Sequence, residues 1–194
     1  MSIFRWTAPL FQRMAKRWAE DDFTMLAAWL RPYVAPGGVF ADLGGGTGEL
    51  GTGVARVLGA GVIIVDETPQ MLRRVAAHPP VSVQLANAGA LPFPAAYFDG
   101  LLCCDAWHHF RDQDAAAREM ARVVRPGGGV LILDAEATGP NRRWAVLERI
   151  LGEPAAFRTM ADMEGFLAAR GITGSCQPTR GSSYAFIGSV AAKP

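Results

Sequence analysis

The stretch Val39-Phe-Ala-Asp-Leu-Gly-Gly-Gly-Thr-Gly-Glu-Leu-Gly51 decides how this 194-residue chain is read. An apolar strand runs into Asp42, glycines follow at 44, 45, 46 and 48, and a helical pattern begins at Glu49. Glycines in such a turn permit φ > 0 and let a ligand come close to the backbone. The start of the following helix adds unsatisfied N–H groups and the positive end of its dipole, a setting for a carboxylate or phosphate.

The same alternation continues outward from this point. Further strands are expected at Gly61–Asp66, Ser82–Ala86, Asp99–Cys104 and Gly129–Asp134, the first opening at Gly38–Leu43. Between them Glu49–Leu58, Gln70–Ala77 and Asp112–Arg125 read as helices, with Asp112 as an N-cap. Strands that alternate with helices and are apolar throughout predict an α/β fold, a parallel sheet covered on both faces. A first helix is expected near Asp22–Tyr33, and two more at Asn141–Leu151 and Thr159–Arg170, the last stopped by Gly171. Ile172–Pro178 and Tyr184–Ala192 flank Gly181-Ser-Ser183 and predict a hairpin, an antiparallel ribbon at the sheet edge. With no repeat and no linker, residues 1–194 read as one domain.

Composition narrows the function. Half the residues are hydrophobic and a fifth charged, enough for a sizeable core, and the net charge of +1 excludes bulk attraction to nucleic acid. No apolar run reaches the roughly 18 residues that span a bilayer, and the N-terminus lacks a secretory h-region, so a cytoplasmic protein is expected. The three cysteines cannot all pair within one chain; Cys103 and Cys104 lie in an apolar run and read as buried thiols. No His/Cys/carboxylate spacing suits a metal, and none is expected.

Two ligands compete for the glycine loop. Gly46-Thr-Gly48-Glu-Leu-Gly51 satisfies G-x-G-x-x-G, the dinucleotide pattern, in which the first glycine closes the strand and an acid lies about 20 residues on. Asp42-x-Gly44-x-Gly46-x-Gly48 is the better-formed pattern, and it resembles the nucleotide loop of class I S-adenosylmethionine-dependent methyltransferases. Gly61-Val-Ile-Ile-Val-Asp66 ends in an acid able to accept from two ribose hydroxyls, and Glu67-Thr-Pro-Gln-Met-Leu72 is similar to that family's D-x-S-x-x-M-L. Ala86-Asn-Ala-Gly-Ala-Leu-Pro-Phe-Pro94, followed by Phe98-Asp99, resembles D-A-x-x-L-P-F-x-x-x-x-F-D, with Asn87 where Asp is usual. Leu101-Leu-Cys-Cys-Asp-Ala-Trp-His-His-Phe110 and the later Arg125-Pro-Gly-Gly128 resemble the fourth strand with its H-H-F ending and the R-P-G-G that leads into the fifth. These matches stand in the family's order over residues 22–134.

The resemblance implies a Rossmann-like, doubly wound, three-layer αβα fold with a mostly parallel seven-stranded sheet and an antiparallel C-terminal hairpin. It implies binding of S-adenosylmethionine, with S-adenosylhomocysteine as product, by Asp42, Gly44, Gly45, Gly46, Gly48, Asp66, Glu67, Asn87, Ala88, Gly89, Cys104 and Asp105. An amide oxygen at Asn87 can still accept from the adenine amino group. Methyl transfer to a small hydrophobic or aromatic acceptor is expected, and His109, then His108, with Asp105 at the same rim, are the candidate catalytic residues. The fourth strand is not followed by N-P-P-Y or D-P-P-Y, which argues against a nucleic-acid or glutamine-amide acceptor. Residues 1–35 precede the core at 36–194 and are expected to form a helical lid. Phe4, Trp6, Phe11 and Trp18 alternate there with Arg5, Arg13, Lys16 and Arg17, and Trp6-Thr-Ala-Pro-Leu-Phe11 loosely resembles the A-P-x-Y-D of quinone-biosynthesis methyltransferases. A homodimer, a cofactor-binding protein without methyl transfer, and an NAD-type oxidoreductase resting on Gly46–Gly51 stay open.

Overall fold

The fold is described from a computed structural model, over residues 18–138, 141 and 155–192. The elements run α1 (Glu20–Leu30), β1 (Val39–Leu43), α2 (Glu49–Leu58), β2 (Gly61–Asp66), α3 (Pro69–Leu72), β3 (Val81–Leu85), β4 (Phe98–Cys104), a 3-10 turn (Trp107–His109), α4 (Gln113–Val123), β5 (Val124–Ala135), α5 (Met160–Ala168), β6 (Ile172–Pro178) and β7 (Ser183–Val190). One seven-stranded sheet has the order β3-β2-β1-β4-β5-β7-β6. β1 to β5 are parallel, and β7 is antiparallel to both β5 and β6. The expected mixed sheet with its C-terminal ribbon is therefore present. Among the described residues no helix is long and apolar enough to cross a membrane.

The strands are apolar throughout because each face carries its own core. Leu101, Cys103, Val130, Ile132 and Phe186 meet Ala116, Ala117 and Met120 of α4 and Met163 and Leu167 of α5. Their neighbours in the chain, Leu102, Leu131, Leu133 and Ala185, pack with Phe40 and Ile64 on the opposite face, against Leu26 and Leu30 of α1 and Val54 and Leu58 of α2. Period-two alternation divides one strand between two cores.

Several boundaries differ from expectation, the largest strand shift being β5, which begins at Val124 and not at Gly129. The helix expected over Gln70–Ala77 is the single turn Pro69–Leu72, since the chain must straighten ahead of Pro79-Pro80 to begin β3 at Val81. The helix expected to reach Arg125 ends at Val123, because Val124 already pairs with Phe98 and Pro126 disfavours helical Arg125. Asp112 does cap α4, accepting from the Ala115 N–H at 2.8 Å. α1 begins at Glu20, with acids at 20, 21 and 22 set against its N-terminal dipole. Residues 1–17 of the expected lid, and the helix expected at Asn141–Leu151 apart from Asn141, lie outside the described residues.

Two of the sequence motifs are structural locks. Asp99 accepts from the Val39 N–H and from Arg125 Nε, both at 2.9 Å, and Arg125 also donates to the Tyr33 carbonyl. That joins β1, β4 and β5 at the end away from the cleft. Glu119 accepts from the Leu91 N–H at 2.6 Å, and Arg122 donates to the Leu91 and Phe93 carbonyls. The Leu91-Pro-Phe-Pro loop is thereby clamped to α4.

Candidate active site

The strand order reverses between β1 and β4, and a cleft of about 520 Å³ opens at the carboxyl ends of the strands there. In open α/β sheets this switch point is where ligands sit. Two loops leave adjacent strands in opposite directions and cannot close the gap between them.

Asp42 forms the floor. It is 2% exposed and accepts the Gly51 N–H of α2 at 3.1 Å, so a strand-end carboxylate caps the third position of the helix that follows it. Burial pushes its carboxyl up to about 7, against the pull of the Gly51 bond, and the nearby Asp66 charge adds to the rise. A Cβ at Gly51 would collide with this carboxylate. Gly44 has φ +74°, and a Cβ there would strike the Ala106 methyl at the end of β4. Glycine at 44 lets the two loops of the switch point touch.

Asp66 at the end of β2 accepts from the Gly46 N–H at 3.0 Å and the Thr68 N–H at 2.8 Å. One half-buried carboxylate thus ties the glycine loop to the β2 loop. Burial raises its carboxyl above the ordinary value, and the Thr68 and Gly46 bonds partly offset this. Asn87 accepts the Gly89 N–H at 2.8 Å and donates to Glu67 at 2.9 Å. The residue that departs from the family pattern is matched to its neighbour: a carboxylate at 87 would face the carboxylate of Glu67.

Gly45, Ala88, Cys104 and Asp105 complete this half of the cleft. Asp105 has φ +49°, a left-handed conformation for a non-glycine residue at the strand end, and its N–H donates to the Leu133 carbonyl. Burial pushes the Cys103 and Cys104 thiols well up, with neighbouring carboxylates adding to the effect, so neither is a thiolate nucleophile. Gly48 is buried at the N-cap of α2, with φ +74°, and is not among the lining residues.

The other half is aromatic. Trp18, Phe110 and Phe157 line it together with His108 and His109 from the 3-10 turn. The His108 ring stacks on Phe157 at 4.3 Å and lies 3.9 Å from the His109 ring. Asp134 at the end of β5 accepts from His108 Nδ1 at 2.6 Å and from the His108 backbone N–H at 2.8 Å. Gln113 reaches from α4 to the carbonyls of Trp107 and Ala156, and Arg158 in turn donates to Gln113, which holds Phe157 beside the turn. Sequence reasoning missed Asp134, Gln113 and Phe157. Asp134 is the one with a signal, since it ends a strand next to the one that leads into His108.

Among the described lining residues, the carboxylates Asp42, Glu49, Asp66, Glu67, Asp105 and Asp112 face a single guanidinium, Arg111. Such a cleft suits a cationic ligand with hydroxyls and repels a pyrophosphate. No group of three or more His, Cys, Asp or Glu side chains among the described residues is arranged to hold a metal.

A sequence profile described as a methyltransferase domain matches residues 41–132. The ubiquinone/menaquinone biosynthesis C-methyltransferase UbiE of Vibrio cholerae is 38% identical over 108 residues, 51% of this chain and 42% of the relative. The chain thus spans less than half the length of the curated relatives it matches. Among solved structures, a chain of the complex between the Haloferax volcanii Trm112 methyltransferase activator and a methyltransferase superposes with TM-score 0.81 at 17% identity, covering 99% of both chains. The YcgJ protein of Bacillus subtilis superposes with TM-score 0.72 at 22% identity, covering 82% of this chain and 71% of that one. With the sheet order, the glycine loop and the acidic cleft, these likenesses support a class I S-adenosylmethionine-dependent methyltransferase.

Proposed function

We propose that this protein transfers a methyl group from S-adenosylmethionine to a small, hydrophobic or aromatic acceptor. The observation that carries this reading is the acidic switch-point cleft, with Asp66 at the end of β2 beside a glycine loop it holds by its own carboxylate. When bound, the cofactor supplies an electrophilic methyl on a sulfonium. Asp66 would accept from its ribose hydroxyls, Gly44–Gly46 and Asp105 would border its amino-acid end, and Asn87 to Gly89 would border the adenine. The excess of lining carboxylates favours a cation over NAD, whose pyrophosphate would meet the same acids.

The chain's contribution to the chemistry is to align the acceptor with the methyl carbon, which can supply most of the rate enhancement, and to exclude water. The aromatic half of the cleft receives the acceptor. Its rings and the quinone-pathway name of the curated relatives both support a flat, apolar molecule. His108, His109 and Asp105 remain the groups proposed to handle the acceptor's proton, and residues 1–17, which lead into the cleft-lining Trp18, are proposed as its cover. A small-molecule acceptor fits a cleft of this charge better than a polyanionic nucleic acid.

Calorimetric titration with S-adenosylhomocysteine and NAD tests the cofactor, and a panel of phenolic, quinol and amine acceptors tests the transfer. Binding of S-adenosylhomocysteine without NAD binding is expected, with turnover on at least one aromatic acceptor. NAD binding without a response to S-adenosylhomocysteine would overturn the assignment.

A further inference from the structure

We infer that Asp134 and His108 form a proton-abstracting pair, and that the acceptor is a phenol. This rests on the methyl-transfer reading above and goes beyond it in naming the base, its positioning residue and the acceptor's chemistry.

The pair is built, not incidental. Asp134 is 1% exposed and His108 7%, yet His108 lines the cleft. The Asp134 carboxylate accepts three hydrogen bonds: from His108 Nδ1 at 2.6 Å, from the His108 backbone N–H at 2.8 Å and from the Ala135 N–H at 2.7 Å. Gripping both the ring and the backbone of one residue fixes the imidazole's orientation. It also fixes its tautomer: an acceptor-only carboxylate requires the proton on Nδ1, so the lone pair lies on Nε2. Proton abstraction falls to Nε2, the ring nitrogen that Asp134 does not hold. The sequence favoured His109 slightly over its neighbour; the Asp134 carboxylate grips His108.

Proton affinity selects the acceptor. Imidazole is a weak base that can take a proton from a phenol, whose pKa is about 10, whereas water and simple alcohols near 16 are out of reach. A phenol also presents a flat ring to Phe157 and His109. In the step, His108 Nε2 takes the hydroxyl proton and the phenolate supplies the electron pair for the new bond to the methyl carbon. The carbon–sulfur bond breaks with its pair retained on sulfur, giving a neutral thioether, and the imidazolium proton passes to water. If the ortho carbon attacks in place of oxygen, the same first proton transfer is needed. The ring carbon then releases its own proton to water, and the oxygen is protonated again from the imidazolium.

The tautomer is read without cofactor, from long-range nitrogen–proton correlation spectra of the histidine rings, with His108→Gln assigning the signal. A dominant Nδ1–H tautomer at His108 is expected, and a smaller excess of it in Asp134→Asn, whose neutral amide oxygen is a weaker acceptor for Nδ1–H. A dominant Nε2–H form in the wild type would overturn the pairing. With cofactor and a phenolic acceptor, both variants should lower kcat about a hundredfold or more, with KM and S-adenosylhomocysteine affinity within about threefold. Wild-type kcat should rise with pH along a limb that vanishes in His108→Gln. Unchanged kcat in a variant that still binds S-adenosylhomocysteine overturns the base assignment. If Asp134→Asn fails to fold, the wild-type tautomer and the His108→Gln pH profile decide the matter. Methylation of amines or thiols with no phenol turned over overturns the acceptor class alone. Failure of the wild type to bind S-adenosylhomocysteine strikes the methyl-transfer reading and leaves the tautomer result standing.

Discussion

Replacing Asp42 by asparagine should make the protein more stable at neutral pH and leave it little changed in acid. Asp42 sits in the floor of the cleft, 2% exposed, accepting from the Gly51 N–H with Asp66 nearby. Burial pushes its carboxyl from 3.8 up to about 7. A folded value above the unfolded one means that the native protein binds more protons than the unfolded chain between those two pH values. Stability from this group is therefore present at low pH and declines as pH rises through that window. At about 1.4 kcal/mol per pH unit, the difference corresponds to about 4 kcal/mol. Asp42→Asn keeps an oxygen for the Gly51 N–H and never ionises.

Urea unfolding of both proteins, from about pH 4 to about pH 8, isolates the effect. Asp66, raised mainly by burial, gives the same sign in both proteins. Asp114 and Glu119, lowered mainly by hydrogen bonds from Arg170 and Arg122 respectively, lose their contributions as pH falls, again in both. These terms largely cancel in the difference. The variant's advantage should grow by about 4 kcal/mol across the range. A difference constant to within about 1 kcal/mol would show that Asp42 is ionised throughout and that burial does not govern it.

Asp66→Ala should weaken S-adenosylhomocysteine binding roughly tenfold to a few hundredfold in calorimetry, since charge-assisted bonds are worth about 1.5–3 kcal/mol each. It should also lower the unfolding free energy by about 1–3 kcal/mol, because the Gly46 and Thr68 N–H groups lose their acceptor; unchanged affinity in a folded variant would reduce Asp66 to a loop tie. Asn87→Asp, which installs the family's usual acid, should bind S-adenosylhomocysteine no better than wild type, because it sets a carboxylate against Glu67. Adding Glu67→Gln should relieve that conflict, and a tenfold gain in the single variant would refute it. Removing residues 1–17 should cut turnover on the order of a hundredfold while S-adenosylhomocysteine still binds, and full turnover in the truncated protein would dispose of the cover.

Within any ten or so residues the chain already determines a good deal. The strand–helix alternation, the glycine loop with Asp42 and Asp66 at its flanks, the Asp112 cap and the β6–β7 hairpin were all legible, because periodicity and turn chemistry act between near neighbours. Where such local signals conflicted, as at Arg125 and at Gln70–Ala77, the neighbouring strands and prolines decided the boundary. Motifs were visible without their roles: only in three dimensions does Arg125-Pro-Gly-Gly lock onto Asp99, or Leu91-Pro-Phe-Pro onto Glu119 and Arg122. The active centre is the extreme case. Asp134 lies 26 residues beyond His108 in sequence and 2.6 Å from it in space, and Phe157 comes from farther still. Their meeting depends on β4 and β5 pairing in register, on the 3-10 turn that swings His108 toward β5, and on Gln113 drawing Ala156 against that turn. No local pattern encodes those contacts, since each is a product of the sheet order; the glycine loop is a property of the sequence, and the His108–Asp134 pair is a property of the fold.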